Sequence, residues 1–273
     1  MRIPTICTQC VQDGNPAMAF LLTAEVQDDG VYEIECPFGH SGVIALQEMK
    51  FEILFELGVN AIFDGYYREA VASFASGLER FFEFYIRVIC GVYKIDAEKV
   101  TAAWKAVERQ SERQLGAYVM AHLLDAREPP ALLPIKQVEF RNDVIHRGYI
   151  PRKEEAIKFG NVSSGVVIPC LSELKKKYGD AVTGEVRRHM AAAVARANGR
   201  TFSGMSIASL VSIARLEGSR GKSEVATACP RNGCCRFGNE VISVGSDPPE
   251  ESMPIHNQPR WAMKRGLNPA AYH

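Results

Sequence analysis

Read from its residues, the chain is mainly α: a helical bundle preceded by a small β-hairpin unit built around a metal site. From about residue 45 to about residue 200, apolar side chains recur at i, i+3 and i+4 over many turns, the signature of amphipathic helices. Before that stretch, an apolar segment (AMAFLLTAEV), a turn signal (QDDG) and an alternating segment (VYEIEC) read as a β-hairpin, bracketed by two pairs of ligand-type residues. From about Gly218 the chain becomes polar and rich in Pro and Gly, and periodicity is lost. The organisation predicted is therefore a metal unit over residues 1–44, a helical domain over 45–217 and an irregular tail over 218–273.

The first unit carries Cys7 and Cys10 in CTQC, and Cys36 and His40 in CPFGH. C-x2-C followed by C-x3-H offers four soft-to-borderline ligands, which suits tetrahedral Zn²⁺. With all four positions filled by protein, the ion is expected to be structural, leaving no open position for chemistry. About forty residues cannot hold a core of their own, so metal binding would supply folding energy. The unit resembles a zinc ribbon, with His40 where ribbons usually carry a fourth cysteine.

The helical domain divides at its own punctuation. Gly58 and Asp64-Gly65 are expected breaks. The helix after them, Tyr66 to about Val92, is crowded with Tyr66, Tyr67, Phe74, Phe81, Phe82, Phe84 and Tyr85, a stripe read as core or dimer surface. One or two amphipathic helices follow, with Asp96 as an N-cap. Pro134 opens a helix that runs to about Arg147, and Gly148 fits the position just past its end. Pro151 opens the next, with Glu154 and Glu155 near its N-terminus and Pro169 as an expected kink. EVRRHMAAAVARANG reads as another helix ended by Asn198-Gly199, and FSGMSIASLVSIARLEG as a further one. The tail holds Cys229, Cys234 and Cys235 at a spacing that matches no metal pattern, and free thiols are expected there.

Eight cysteines scattered over 273 residues do not resemble a disulfide-stapled miniprotein. No secretory signal opens the sequence, and no stretch approaches the roughly 18 apolar residues of a membrane span, so a soluble cytoplasmic protein is expected. The net charge of zero hides an asymmetry. Residues 1–146 carry 13 Lys/Arg against 21 Asp/Glu, whereas residues 147–222 carry 14 against 6. Such a basic stretch can bind a polyanion, or acidic and basic parts can attract each other within or between chains. No P-loop, G-x-G-x-x-G or serine-nucleophile elbow is present in the sequence.

The segment FRNDVIHRGYIP stands out. Asn142 and His146 are four residues apart and share a helix face, anchored by Val138 and Ile145, while Arg141 points toward the same helix end. A histidine in a last helical turn can gain and lose a proton near neutrality. An arginine beside it offers a planar fork to a phosphate, and an asparagine can orient either group. Together they suit phosphoryl transfer on RNA. Arg141-Asn142-Asp143-Val144-Ile145-His146, with the aromatic helix REAVASFASGLERFFEFYIR upstream, resembles the R-x(4–6)-H signature of HEPN domains. The resemblance covers about residues 45–195. It implies a helical bundle, a homodimer with the two motifs facing across a cleft, and metal-independent RNA endonuclease activity, often in toxins or antiviral effectors paired with an antitoxin or defence protein. Arg141 and His146 would be catalytic and Asn142 supporting. Some members of the family only bind, so a non-catalytic nucleic-acid- or protein-binding module is the alternative.

Overall fold

Two small sheets and a set of helices make up residues 2–14, 22–207 and 209–214, which are those described by the computed structural model. All lie within one compact unit, Met1–Ile242. The tail, with Cys229, Cys234 and Cys235, lies outside the described residues.

Strand β1 (Arg2–Thr5) precedes a short helix α1 (Thr8–Gln12) and pairs antiparallel with β2 (Leu22–Glu25). Ile3 faces Ala24 in that register, and both are buried. Strands β3 (Val31–Glu35) and β4 (Ser41–Leu46) form the hairpin, with Tyr32 opposite Ile44. This corrects the expected pairing: VYEIE turns back on SGVIAL through CPFGH, and the segment ending in AEV pairs with β1 instead. The cause is the CPFGH turn. Gly39 takes φ +80°, open to glycine at little cost, and its N–H donates to the Cys36 carbonyl at 2.9 Å. The Cys36 N–H donates to the His40 carbonyl at 3.0 Å and closes the loop. QDDG, with Gly30 at φ +64°, turns the chain from one sheet into the other.

The third strand of the second sheet comes from far along the chain. β5 (Phe202–Met205) runs parallel to β4, with Val43 opposite Phe202. FSGM is thus strand, not helix. Ser203 and Met205 turn inward while Phe202 and Gly204 do not, a period of two that four residues cannot announce by composition. Beyond β5 the expected helix is replaced by backbone held on two buried carboxyl groups. Glu48 accepts Ser206 Oγ–H and Ile207 N–H at 2.5 and 2.9 Å, and Glu52 accepts Ile213 N–H at 2.8 Å.

The bundle consists of α2 (Lys50–Phe63), α3 (Tyr67–Val92), α4 (Ala97–Trp104), α5 (Ser111–Ala126), α6 (Ile135–His146) and α7 (Lys153–Ala197). Gly65, at φ +82°, separates α2 from α3 as expected. Gly58 does not break α2. It is a contact glycine: a Cβ there would stand 2.5 Å from the Phe74 ring, and one at Gly77 would stand 2.9 Å from the Phe55 ring. Phe55 and Phe74 thus each fill the space left by a glycine on the facing helix. Phe74, Phe81, Phe82, Phe84 and Tyr85 are all buried within one chain, and Phe81, Phe82 and Tyr85 surround Tyr118 of α5 at centroid distances of 6.3, 4.4 and 5.2 Å. The aromatic stripe from Phe74 to Tyr85 is core and needs no second copy to cover it, whereas Tyr67 is half-buried and Tyr66 is exposed.

Asp96 caps α4 by accepting the Glu98 and Lys99 N–H groups. Asn198 and Gly199, at φ +49° and +77°, end α7. The break in α7 falls at Tyr178 (φ −137°, ψ 43°), not at Pro169. A polar anchor lies at the break: Tyr178 donates its hydroxyl proton to Asp125 Oδ1 at 2.5 Å, and Lys177 Nζ reaches the same oxygen at 2.9 Å. Among the described residues, no helix is long and apolar enough to cross a membrane.

Candidate functional site

The four residues singled out in the N-terminal unit come together. Cys7 stands at the N-terminal end of α1, Cys10 lies within it, and Cys36 and His40 flank the β3–β4 turn. Their ligand atoms all lie within 4.8 Å of one another. Cys10 Sγ is 3.7 Å from Cys36 Sγ and 3.4 Å from His40 Nδ1, and Cys7 Sγ is 3.7 Å from His40 Nδ1. All three cysteines are buried. Burial pushes the Cys10 thiol up to about 12, helped by the neighbouring thiols of Cys7 and Cys36. Cys36 feels burial too, but the N–H groups of Phe38 and His40 and the adjacent thiols outweigh it and bring it down to about 7. The backbone of the turn is therefore already arranged to hold a thiolate. Three sulfurs and one imidazole nitrogen this close could bind a metal ion, which would replace the thiol protons.

The second group lies at the end of α6. Gly148, at φ +74°, ends the helix, and the Tyr149 N–H donates to the Asp143 carbonyl at 3.0 Å. Arg141, Asn142 and His146 meet there. Arg141 Nη1 donates to Asn142 Oδ1 at 3.1 Å and lies 3.4 Å from His146 Nε2. The His146 side chain is exposed, whereas that of Arg141 is only 19% exposed. The anchoring differs from the expectation. Val138 is exposed, and the helix is held by fully buried Val144 and by Phe140, whose ring packs 5.9 Å from that of Phe159. Ile145 is half-buried and does pack on the core.

Sequence reasoning missed what holds the arginine. Arg141 Nη2 pairs with Glu79 Oε1 of α3 at 2.8 Å, and the same oxygen accepts Ser111 Oγ–H from α5 at 2.7 Å. Glu79 thus fixes one edge of the guanidinium and leaves Nη1 facing Asn142 and His146. Nothing in the spacing links residues 79, 111 and 141, and Glu79 is one of several charged residues along its helix, with Glu69, Arg80, Glu83 and Arg87, so no local signal marked it out. The arrangement presents a preorganised cation beside an exposed imidazole, which is what a proton transfer next to a phosphate requires.

No family model matches the sequence, no curated protein matches it, and no solved structure matches the fold.

Proposed function

We propose that the protein is a metal-independent RNA endonuclease of the HEPN type. The observation that carries the reading is the Arg141–His146 pair, 3.4 Å apart at an exposed helix end, with the arginine braced from behind by Glu79. In this mechanism His146 takes the proton of an RNA 2′-hydroxyl, and that oxygen attacks the adjacent phosphorus. Arg141 stabilises the charge on the phosphorane oxygens, and Asn142 orients the arginine. The 5′-oxygen leaves with a proton from solvent water, and His146 returns the proton it took to solvent, giving a 2′,3′-cyclic phosphate and a 5′-hydroxyl. The basic stretch from residue 147 onward supplies a surface for the RNA backbone. Exposed Ile135, Val138 and Ile150, on or beside the helix that bears His146, support a homodimer across this face. The toxin or defence role, and with it an antitoxin or defence partner, rests on the HEPN resemblance alone.

The metal is proposed to be zinc in a structural role. Bonds of about 2.3 Å to sulfur and about 2.0–2.1 Å to nitrogen put tetrahedral ligand atoms about 3.8 Å (S–S) and about 3.5 Å (S–N) apart. Three of the observed separations match, 3.7 Å for Cys10–Cys36 and 3.4 and 3.7 Å for His40 with the two N-terminal sulfurs, within a group whose ligand atoms lie no more than 4.8 Å apart. A cluster of reduced thiols fits a cytoplasmic setting.

Purified protein incubated with varied RNAs should cut them, as a dimer by light scattering. His146→Ala should lower the rate by about 10²–10⁴-fold with RNA binding largely kept, and Arg141→Ala should weaken both. A single 2′-deoxy position should block cutting at that position. Cleavage there, or full activity of the His146→Ala protein, contradicts the mechanism. One observation favours a second reading, a non-catalytic binding module: Arg141 already has its charge balanced by Glu79. RNA retention without cleavage would select it.

A further inference from the structure

One polar group outside the four ligands faces the metal cluster. His40 turns Nδ1 toward the sulfurs and Nε2 away from them, and Nε2 lies 3.4 Å from Asp13 Oδ2. The other oxygen of Asp13 accepts the side-chain N–H of Gln9 at 2.9 Å. Gln9 is itself one of the two residues between Cys7 and Cys10. The Asp13 backbone is fixed as well, its N–H donating to the Gln9 carbonyl at 2.9 Å before Gly14 turns the chain at φ +78°. The C-x2-C loop is thus hydrogen-bonded to Asp13, and Asp13 in turn lies within ion-pair distance of the histidine of the opposite turn, around the outside of the cluster. Helix α1 does not explain this carboxylate. It stands at the C-terminal end, where the exposed carbonyls disfavour negative charge.

We propose that Asp13 is a positioning residue for the metal: it holds the proton on His40 Nε2, so that the Nδ1 lone pair is directed at the ion. An imidazole in water exchanges its proton between two nitrogens, and only one tautomer leaves Nδ1 able to ligate. A carboxylate on the outer N–H selects that tautomer and fixes the ring plane. Gln9 bracing Oδ1 turns the other oxygen toward the ring. The proposal rests on the reading that Cys7, Cys10, Cys36 and His40 bind zinc.

The test is competition for zinc between the full chain and a chromophoric chelator, with RNA cleavage playing no part. The parent should bind one zinc per chain, Asp13→Ala should bind it about 10–100-fold more weakly, and Asp13→Asn should lose less, because its amide oxygen still accepts the N–H. An Asp13→Ala protein within twofold of the parent overturns the role of Asp13 while leaving the zinc site standing. A parent that binds no zinc overturns both. Long-range ¹H–¹⁵N spectra of the zinc-loaded parent supply a readout that survives a variant failing to load. His40 Nε2 should carry the proton, and that proton should exchange with water faster in Asp13→Asn. A parent spectrum with the proton on Nδ1 refutes the proposal.

Discussion

At Glu52 a carboxyl sits inside the protein, its residue 3% exposed, with Ile213 N–H on one oxygen and Met49 N–H on the other, both at 2.8 Å. Burial pushes its pKa up to about 8 against the pull of those two donors; neighbouring Glu48 adds to the rise and Lys175 opposes it. Burial raises Glu48 as well, against the donors Ser206, its own N–H and Ile207. The unfolded chain ionises such a carboxyl near 4.5, the folded one near 8, so in between the folded state holds the extra proton. Glu52 therefore stabilises the fold least at high pH: stability should fall as pH rises from about 5 to about 8, by up to about 1.4 kcal/mol per pH unit for one such group. Urea unfolding across this window measures the slope. Glu52→Gln should flatten it by about one proton while leaving the Glu48 share. A slope unchanged by the substitution would mean that Glu52 is ionised throughout.

At the scale of elements, the tightest packing is between α2 and α3, where Gly58 meets Phe74 and Gly77 meets Phe55. An added methyl at Gly58 has no room, because Phe74 is itself fully buried and cannot swing aside. Gly58→Ala should therefore destabilise by about 1–3 kcal/mol despite the better helix propensity of alanine. Gly116 in α5 is the control: nothing lies within 4 Å of its would-be Cβ, so Gly116→Ala should stabilise by about 0.4–1 kcal/mol. Thermal melts of the two variants should move in opposite directions. The same pair explains what the sequence could and could not tell. Helices were legible because a 3.6-residue period is a local property, and so were the caps at Asp96, Gly148 and Asn198-Gly199, each readable within a few residues. Gly58 was misjudged because a glycine that breaks a helix and a glycine that admits a neighbour look alike until the neighbour is known. Strand partners failed for the same reason. QDDG and CPFGH are both turn signals, and only tertiary contact decides which one closes a hairpin. Within the candidate site, the spacing of Arg141, Asn142 and His146 fixed their shared helix end, but Glu79, 62 positions away, could not be read from it.

At the scale of the whole molecule, the cysteine–histidine cluster and the helical bundle are joined by a strand from far along the chain. β5 reaches the second sheet only after α7, and Ser203 Oγ–H donates to Thr8 Oγ1 inside the C-x2-C loop at 3.0 Å. The small core beneath that sheet combines Ile3, Tyr32, Ile44 and Leu46 with Ile53 of α2 and Met205 of β5. Cys7, Cys10 and Cys36 form a small buried group of their own against half-buried Ile6, Leu22 and Ile34, whereas the bundle core is built on α3 and needs none of them. Removing an ion held at this cluster, as proposed, should therefore have a bounded effect. Three buried sulfurs and an imidazole, without an ion, regain protons and lose their mutual bonding, and the loops that carry them loosen. Hydrogen exchange after chelation should rise across α1, the β3–β4 turn and β5, with Ser203 losing its partner at Thr8. Protection in α3 and in α7 before Tyr178 should remain. Because no metal ligand lies in α6, RNA cleavage under the proposed mechanism should survive brief chelation while the bundle stays folded. Loss of α3 protection on chelation would show that the bundle depends on the ion. Loss of cleavage with α3 protection intact would instead assign the ion a part in the reaction or in RNA recognition.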